Sequence, residues 1–280
     1  MLSVLPSRFE QQGIAMRIGI VGGSGRMGQM LIREVLGSKA ATLSGATERP
    51  GSAAIGRDLG TLIGADPIGV ALTDDPVALF ANSDAVIDFT APAATVSHAA
   101  LAAQHGTALI VGTTGLSPDD HARLTEAAVK APLVVAANFS LGVTLLAGLV
   151  RKVAATLGDE WDIEIVEMHH RHKVDAPSGT ALALGHAAAS GRGVALADVK
   201  DAVRDGHTGA RTVGDIGFAT LRGGDVVGDH TVIFATEAER LELSHKAGSR
   251  AIFARGAVRA ALWAAGKAPG VYSMDDVLGL

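Results

Sequence analysis

The residues MRIGIVGGSGRMGQMLIREVL, positions 16–36, decide how the chain is read. An apolar run that suits a strand passes directly into a glycine turn. Helical spacing from Arg26 to Leu36 then puts Met27, Met30, Leu31 and Val35 on one side. The turn holds GxGxxG at Gly23, Gly25 and Gly28, and GxxGxxG at Gly22, Gly25 and Gly28. Such a turn needs backbone angles that a Cβ forbids, and it lets a pyrophosphate approach the main chain. The helix that follows offers N–H groups and a partial positive charge to the phosphates. A bare GxGxxG is weak, but strand, turn and helix in the first βα unit give it the context of a dinucleotide site.

Outward from this unit, residues 42–48, 70–72, 85–89, 108–114 and 133–139 read as further strands, with a helix over 92–105. Another helix follows Ser117, a cap with Pro118 at its first position. Apolar strands separated by helices imply a parallel, doubly wound sheet whose ligand crevice lies at the carboxyl strand ends. Those ends carry Glu48-Arg49, Phe89-Thr90, Gly112-Thr113-Thr114-Gly115 and Ala136-Ala137-Asn138-Phe139. Glu48, about twenty residues beyond the glycine turn, can accept hydrogen bonds from ribose hydroxyls, and Arg49 can meet a 2′-phosphate. Glu beside Arg predicts use of both NADH and NADPH.

The pattern changes after Ser140. Residues 141–157 read as one helix with Leu145, Leu146, Leu149, Val153 and Leu157 as its apolar stripe, ended by Gly158. Strands follow at 161–168, 216–222, 226–235 and 240–245, with a helix over 180–189; the short turns between the last three predict antiparallel hairpins. A helix over 250–265 returns to the first domain. The fold class is therefore α/β: a Rossmann-like doubly wound parallel domain, residues 16–140 and 250–280, and a second α+β domain, 141–249, with an open, mostly antiparallel or mixed sheet. Residues 1–15 lack the order of a signal peptide and read as a disordered extension or an over-long start.

Composition narrows the function. Hydrophobic residues make up 48% and aromatics 4%, which suits close helix-on-sheet packing. A net charge of −5 argues against a general nucleic-acid binder. No apolar run approaches the length of a membrane helix. With no Cys, thiol catalysis and Cys-ligated metals are excluded, and a reducing compartment is suitable.

The most unusual stretch is HHRHKVDAPSGTA, residues 169–181. Five basic residues follow an apolar strand; if extended, His169, Arg171 and Lys173 would share one face. A helix begins near Gly179-Thr180, a second anion-attracting terminus. Imidazoles and an ammonium near such a terminus make a carboxylate trap with proton donors. A metal reading is set aside, because no carboxylate or Cys completes a sphere and Arg171 and Lys173 repel a cation.

Together GxxGRMG (22–28), GTTG (112–115), ANFS (137–140), HHRHKVDAPSGTA (169–181), GHTG (206–209) and IGFATLRGGDVVG (216–228) resemble the 4-hydroxy-tetrahydrodipicolinate reductase family, also called dihydrodipicolinate reductase. The resemblance implies NAD(P)H-dependent reduction of a dicarboxylate on the diaminopimelate and lysine route by a cytoplasmic homotetramer. It implies a cofactor site of Gly22, Gly23, Ser24, Gly25, Arg26, Met27, Glu48, Arg49, Phe89, Gly112, Thr113, Thr114, Ala136, Ala137, Asn138 and Phe139. His169 and Lys173 would be catalytic. His170, Gly179, Thr180 and Thr114 would bind substrate. Some members carry Arg after the Phe-Thr pair; Ala91 here leaves the NADPH preference open. Other readings of the residues are a different dehydrogenase on the same cofactor domain, which the basic cluster disfavours, and an NADH-binding sensor, which would not need that cluster. Two ligands imply closure, with hinges near Ser140 and Ser249.

Overall fold

In a computed structural model, which describes residues 15–280, the glycine turn lies between β1 (Met16–Val21) and α1 (Arg26–Leu36). The extension read over 1–15 falls, save for Ala15, outside the described residues. The chain continues through β2 (Ala41–Thr47), α2 (Leu59–Leu62), α3 (Pro76–Ala81), β3 (Ala85–Asp88), α4 (Pro92–His105), β4 (Ala108–Val111), α5 (Pro118–Ala127) and β5 (Pro132–Val135). Then come α6 (Leu141–Thr156), β6 (Asp162–His169), α7 (Gly179–Gly191), α8 (Leu196–Val199), β7 (Lys200–Asp201), β8 (Ile216–Arg222), β9 (Gly228–Thr236) and β10 (Glu239–Ala247). The chain closes with α9 (Ala251–Ala264), β11 (Gly270–Tyr272) and α10 (Met274–Leu278).

Two compact units result. One is the chain to Phe139 with Ala251–Gly279; the other is Ser140–Arg250 with Leu280. The first holds a six-stranded sheet in the order β11-β5-β4-β3-β1-β2, with every pair parallel. Val86, Leu109, Val111 and Leu133 pack against Ala99 and Ala102 of α4 and Leu124 of α5. Helices α1 and α9 pack on each other, and α9 lies against β3, β4 and β5. Ser117 caps α5 in a reciprocal box with Asp120, and Pro118 opens the helix. The C-terminal strand β11 carries no periodic signal and was not foreseen. The strand read at 70–72, by contrast, does not form: that segment makes only isolated bridges, Thr47 with Thr73 and Asp58 with Ala71. The Asp58 carboxylate accepts the backbone N–H groups of Ile68 and Gly69, which fixes the segment as a loop.

The second unit carries a mixed sheet in the order β10-β9-β6-β8-β7. β9 and β10 form a hairpin, as the short turn implied. β8 and β9 do not. β6 lies between them, antiparallel to β9 and parallel to β8. The turn after β8 bonds to the end of β6 instead: Gly223 N–H donates to the His169 carbonyl and Arg171 N–H to that of Gly224. Every second residue of β6 is buried, and its inward residues Ile163 and Ile165 share a core with Leu146 and Val150 of α6 and Ala181, Leu184 and Ala188 of α7. The α6 stripe is rotated from the one read in the sequence. Val143, Leu146, Val150 and Ala154 are buried, whereas Leu145 and Leu149 are exposed.

Helix α9 meets the end of the first sheet at Gly256, where an added Cβ would lie 1.6 Å from the Phe139 carbonyl oxygen. Gly to Ala inside an exposed helix stabilises by about 1 kcal/mol. Here the clash outweighs that gain. Gly256→Ala is expected to lower unfolding free energy by about 1–3 kcal/mol in a urea titration.

Candidate functional site

In the first unit the carboxyl strand ends gather the residues read as a dinucleotide site. Gly22 sits at φ +71°, and a Cβ on Gly28 would lie 2.2 Å from the Gly22 carbonyl oxygen. The turn therefore closes only without side chains. Helix α1 begins at Arg26-Met27 after Gly25, which offers no side-chain cap, and no acidic residue stands in its first turn. A helix start so arranged keeps its positive end for an anion. Ser24 donates its hydroxyl to Glu48, just past β2, at 2.5 Å, and Arg49 N–H donates to the same carboxylate at 3.0 Å. Burial opposes ionisation of Glu48, but the hydrogen bonds from Ser24 and Arg49, with the charge of Arg49, outweigh it and hold the carboxyl below its ordinary value. Arg49 is exposed beside it. The glycine cradle, the uncapped helix and an ionised carboxylate fit the pyrophosphate and ribose of a dinucleotide.

The ends of β3 and β4 are tied by a residue that the sequence reading passed over. Asp88 is fully buried at the last position of β3. Its Oδ1 accepts from Thr90 N–H at 2.9 Å and from the Thr90 hydroxyl at 2.6 Å; its Oδ2 lies 2.8 Å from Nδ1 of His98 on α4. Thr113 Oγ1 accepts from Thr90 N–H at 3.0 Å and from the Thr95 hydroxyl at 2.8 Å. Gly112 packs under the Phe89 ring, and the rings of Phe89 and Phe139 lie 5.4 Å apart. Thr114 and Ala137 are exposed beyond this network, with Ala136 and Asn138 partly buried.

In the second unit, β6 does not run on through the basic segment. It ends at His169, and a turn closed by Lys173 N–H to the His170 carbonyl follows. The expected common face of His169, Arg171 and Lys173 therefore does not form. His169 and Glu167 instead lie on the inward face of the strand, His169 Nδ1 2.5 Å from Glu167 Oε2. Glu167 has the same parity as Ile163 and Ile165, which is the sequence signal that could have found it. Its carboxylate also accepts from Ser178 N–H at 3.0 Å and from Arg222 on β8. Ser178 caps α7, so Gly179 and Thr180 form the first turn of that helix. Lys173 Nζ pairs with Asp175 at 2.8 Å.

His170 lines a cavity of about 350 Å³ with His172, Gly224, Asp225, Val227 and Arg250. Burial, and then the charge of Arg250, pushes its pKa below the ordinary imidazole value. A larger hollow of about 660 Å³ between α4 and α5 holds none of the residues named in either site. Glu167, His169 and His230 could supply three metal ligands, which corrects the view that no carboxylate completes a sphere. Arg222 already occupies both oxygens of that carboxylate, and a cation there would meet a guanidinium.

Two family models cover nearly all of the described chain: the N-terminal dihydrodipicolinate reductase model matches residues 16–139, and the C-terminal model matches 142–278. The chain belongs to the dihydrodipicolinate reductase family. A 4-hydroxy-tetrahydrodipicolinate reductase of Dinoroseobacter shibae is 61% identical over 263 residues, covering 94% of this chain and 98% of that one. One from Ruegeria pomeroyi is 60% identical over the same shares. A dipicolinate-bound dihydrodipicolinate reductase from Paenisporosarcina sp. TG-14 shares the fold at 23% identity and a TM-score of 0.74, over 93% of this chain and 98% of that one. Among the described residues no helix is long and apolar enough to cross a membrane.

Removing the Asp88 carboxylate leaves His98, Thr90 and Thr113 short of an acceptor in a buried place. Asp88→Ala is expected to destabilise the chain by at least about 2 kcal/mol in thermal unfolding followed by circular dichroism.

Proposed function

We propose that the chain reduces 4-hydroxy-tetrahydrodipicolinate to tetrahydrodipicolinate, with NADH or NADPH, on the diaminopimelate and lysine route. A hydride and a proton enter the ring and water leaves. The observation that carries this reading is the 169–180 segment: a buried imidazole on a carboxylate, a second imidazole in a cavity with Arg250, and a helix start directly after. Its volume suits a small ligand, and family membership supplies the reaction class.

His170 and the first turn of α7, Gly179 and Thr180, take the substrate carboxylates; Thr114 is the further substrate contact that the resemblance implies. Bound reduced nicotinamide supplies the hydride. Gly22, Gly23, Ser24, Gly25, Arg26 and Met27 bind the pyrophosphate of the dinucleotide. Glu48 binds the adenosine ribose, and Arg49 takes the 2′-phosphate of NADPH. Phe89, Gly112, Thr113, Ala136, Ala137, Asn138 and Phe139 line the nicotinamide. Lys173 Nζ delivers a proton to the reduced ring, and His169 holds or receives one at Nε2. The positive groups around the cavity offset the electron density that arrives with the hydride. A cytoplasmic homotetramer is the assembly this reading carries, and light scattering measures its size.

A coupled assay with freshly generated substrate and each cofactor in turn tests the reaction; no oxidation of either cofactor would end the reading. Lys173→Ala and His169→Gln should each lower kcat by about 10²-fold or more, with NADH affinity unchanged by fluorescence titration. Parental kcat in either variant removes that residue from the mechanism.

Glu48→Ala should weaken NADH by roughly tenfold, about 1.4 kcal/mol, and NADPH by less. Equal losses in isothermal titration would show that Glu48 is not at the ribose.

A further inference from the structure

We propose that Glu167 is the positioning residue of this site: its carboxylate fixes the orientation and tautomer of His169, with Arg222 and Ser178 N–H holding that carboxylate in place. The inference rests on the role given to His169 above.

An ionised carboxylate only accepts hydrogen bonds. At 2.5 Å from Glu167 Oε2, Nδ1 of His169 must therefore carry the proton, and Nε2 is left as the nitrogen that can gain or lose one. Beside Nε2 stands Gly228, where a Cβ would come within 2.9 Å. The missing side chain is what leaves that nitrogen unobstructed. On the same inward face, the His230 ring meets His169 edge-on at 5.1 Å. Burial, with His169 next, pushes the His230 pKa down to about 4. It therefore packs as a neutral ring around pH 7 and adds no second charge.

Glu167 itself is 1% exposed at its side chain. Burial would drive its pKa up, but Arg222, His169 and Ser178 N–H reverse that and hold it below the ordinary carboxylate value. The guanidinium of Arg222 takes both carboxylate oxygens, at 2.8 Å and 3.0 Å, and donates at 2.5 Å to the Asp175 carbonyl. The Asp175 side chain in turn holds Lys173. Both proton-handling residues thus hang on one ion pair. The charged and titratable groups around Glu167 are His169 on β6, Arg222 on β8 and His230 on β9, with Lys173 and Asp175 in the turn before α7. Thr220 and Ser178 complete its polar contacts.

The test uses the full chain as E167Q, E167D, R222M and H169Q. In E167Q, kcat should fall by about 10²-fold with KM and NADH affinity nearly unchanged. The side-chain ¹⁵N spectrum of His169 should change from the pure Nδ1–H form to a mixture. E167D should recover part of kcat. In R222M the burial of Glu167 is opposed only by His169 and Ser178 N–H, so its carboxyl takes up a proton at higher pH than in the parent. The ratio of R222M kcat to parental kcat should then climb as pH rises and the carboxyl ionises. Should E167Q not fold, E167D and R222M carry the same test.

Parental kcat with an unaltered His169 spectrum in E167Q, or an R222M ratio independent of pH, would overturn the proposal. H169Q separates the two layers. A parental kcat in H169Q sinks the catalytic role of His169 itself. A large loss in H169Q with none in E167Q sinks only the positioning role.

Discussion

Taking a carboxylate out of water costs several kcal/mol unless opposite charge and hydrogen bonds replace the lost solvation. Glu167 meets that condition with Arg222, His169 and Ser178 N–H, drawn from the neighbouring strand, its own strand and the start of α7. The condition is also a constraint on geometry. β8 must run beside β6 so that Arg222 stands level with His169 in the parallel register. β9 must flank β6 on the other side, bringing Gly228 and His230 to the same inward face. The order of the second sheet is thus the order that satisfies one buried charge at the edge of an apolar core.

The first unit uses the opposite strategy. The edge at its carboxyl strand ends is mostly main chain: a glycine turn, an uncapped helix start and strand ends of small residues. Main chain of that kind is precise only if something stiffens it. Asp88, buried beneath the loops after β3 and β4, does so through Thr90, Thr113 and His98. Ser24 and Glu48 couple the glycine turn to the end of β2 in the same way.

Much of this was legible before coordinates. The parallel sheet followed from apolar runs spaced by helices, and α4 and the capped start of α5 were read to within a residue. What escaped were features set by partners distant in sequence. β8 looked like half of a hairpin because only the short turn after it is visible locally; that β6 slots in between is a tertiary fact. The 70–72 segment has strand composition, yet Asp58 claims its flanking N–H groups. The basic segment advertised itself through its charge. Glu167 and Arg222 did not: one lies within a run read as an apolar strand, the other at the last position of the strand read over 216–222. Only parity with Ile163 and Ile165 hinted that Glu167 points inward. Asp88 was hidden likewise, as the polar end of an apolar run.

The sheet of the first unit is finished by strand β11 and covered by helix α9, both of which follow the second unit in sequence, whereas the second unit is, save for Leu280, the single stretch Ser140–Arg250. On a ribosome these two bodies mature in the reverse of their genetic order. The middle of the chain can condense as soon as it emerges. The nucleotide-binding body, begun first, keeps the flank of β5 unpaired until the second unit has been made and β11 follows it. A bare parallel strand is a template for other nascent chains, so this architecture leaves an aggregation hazard at β5 for as long as the second unit is being made.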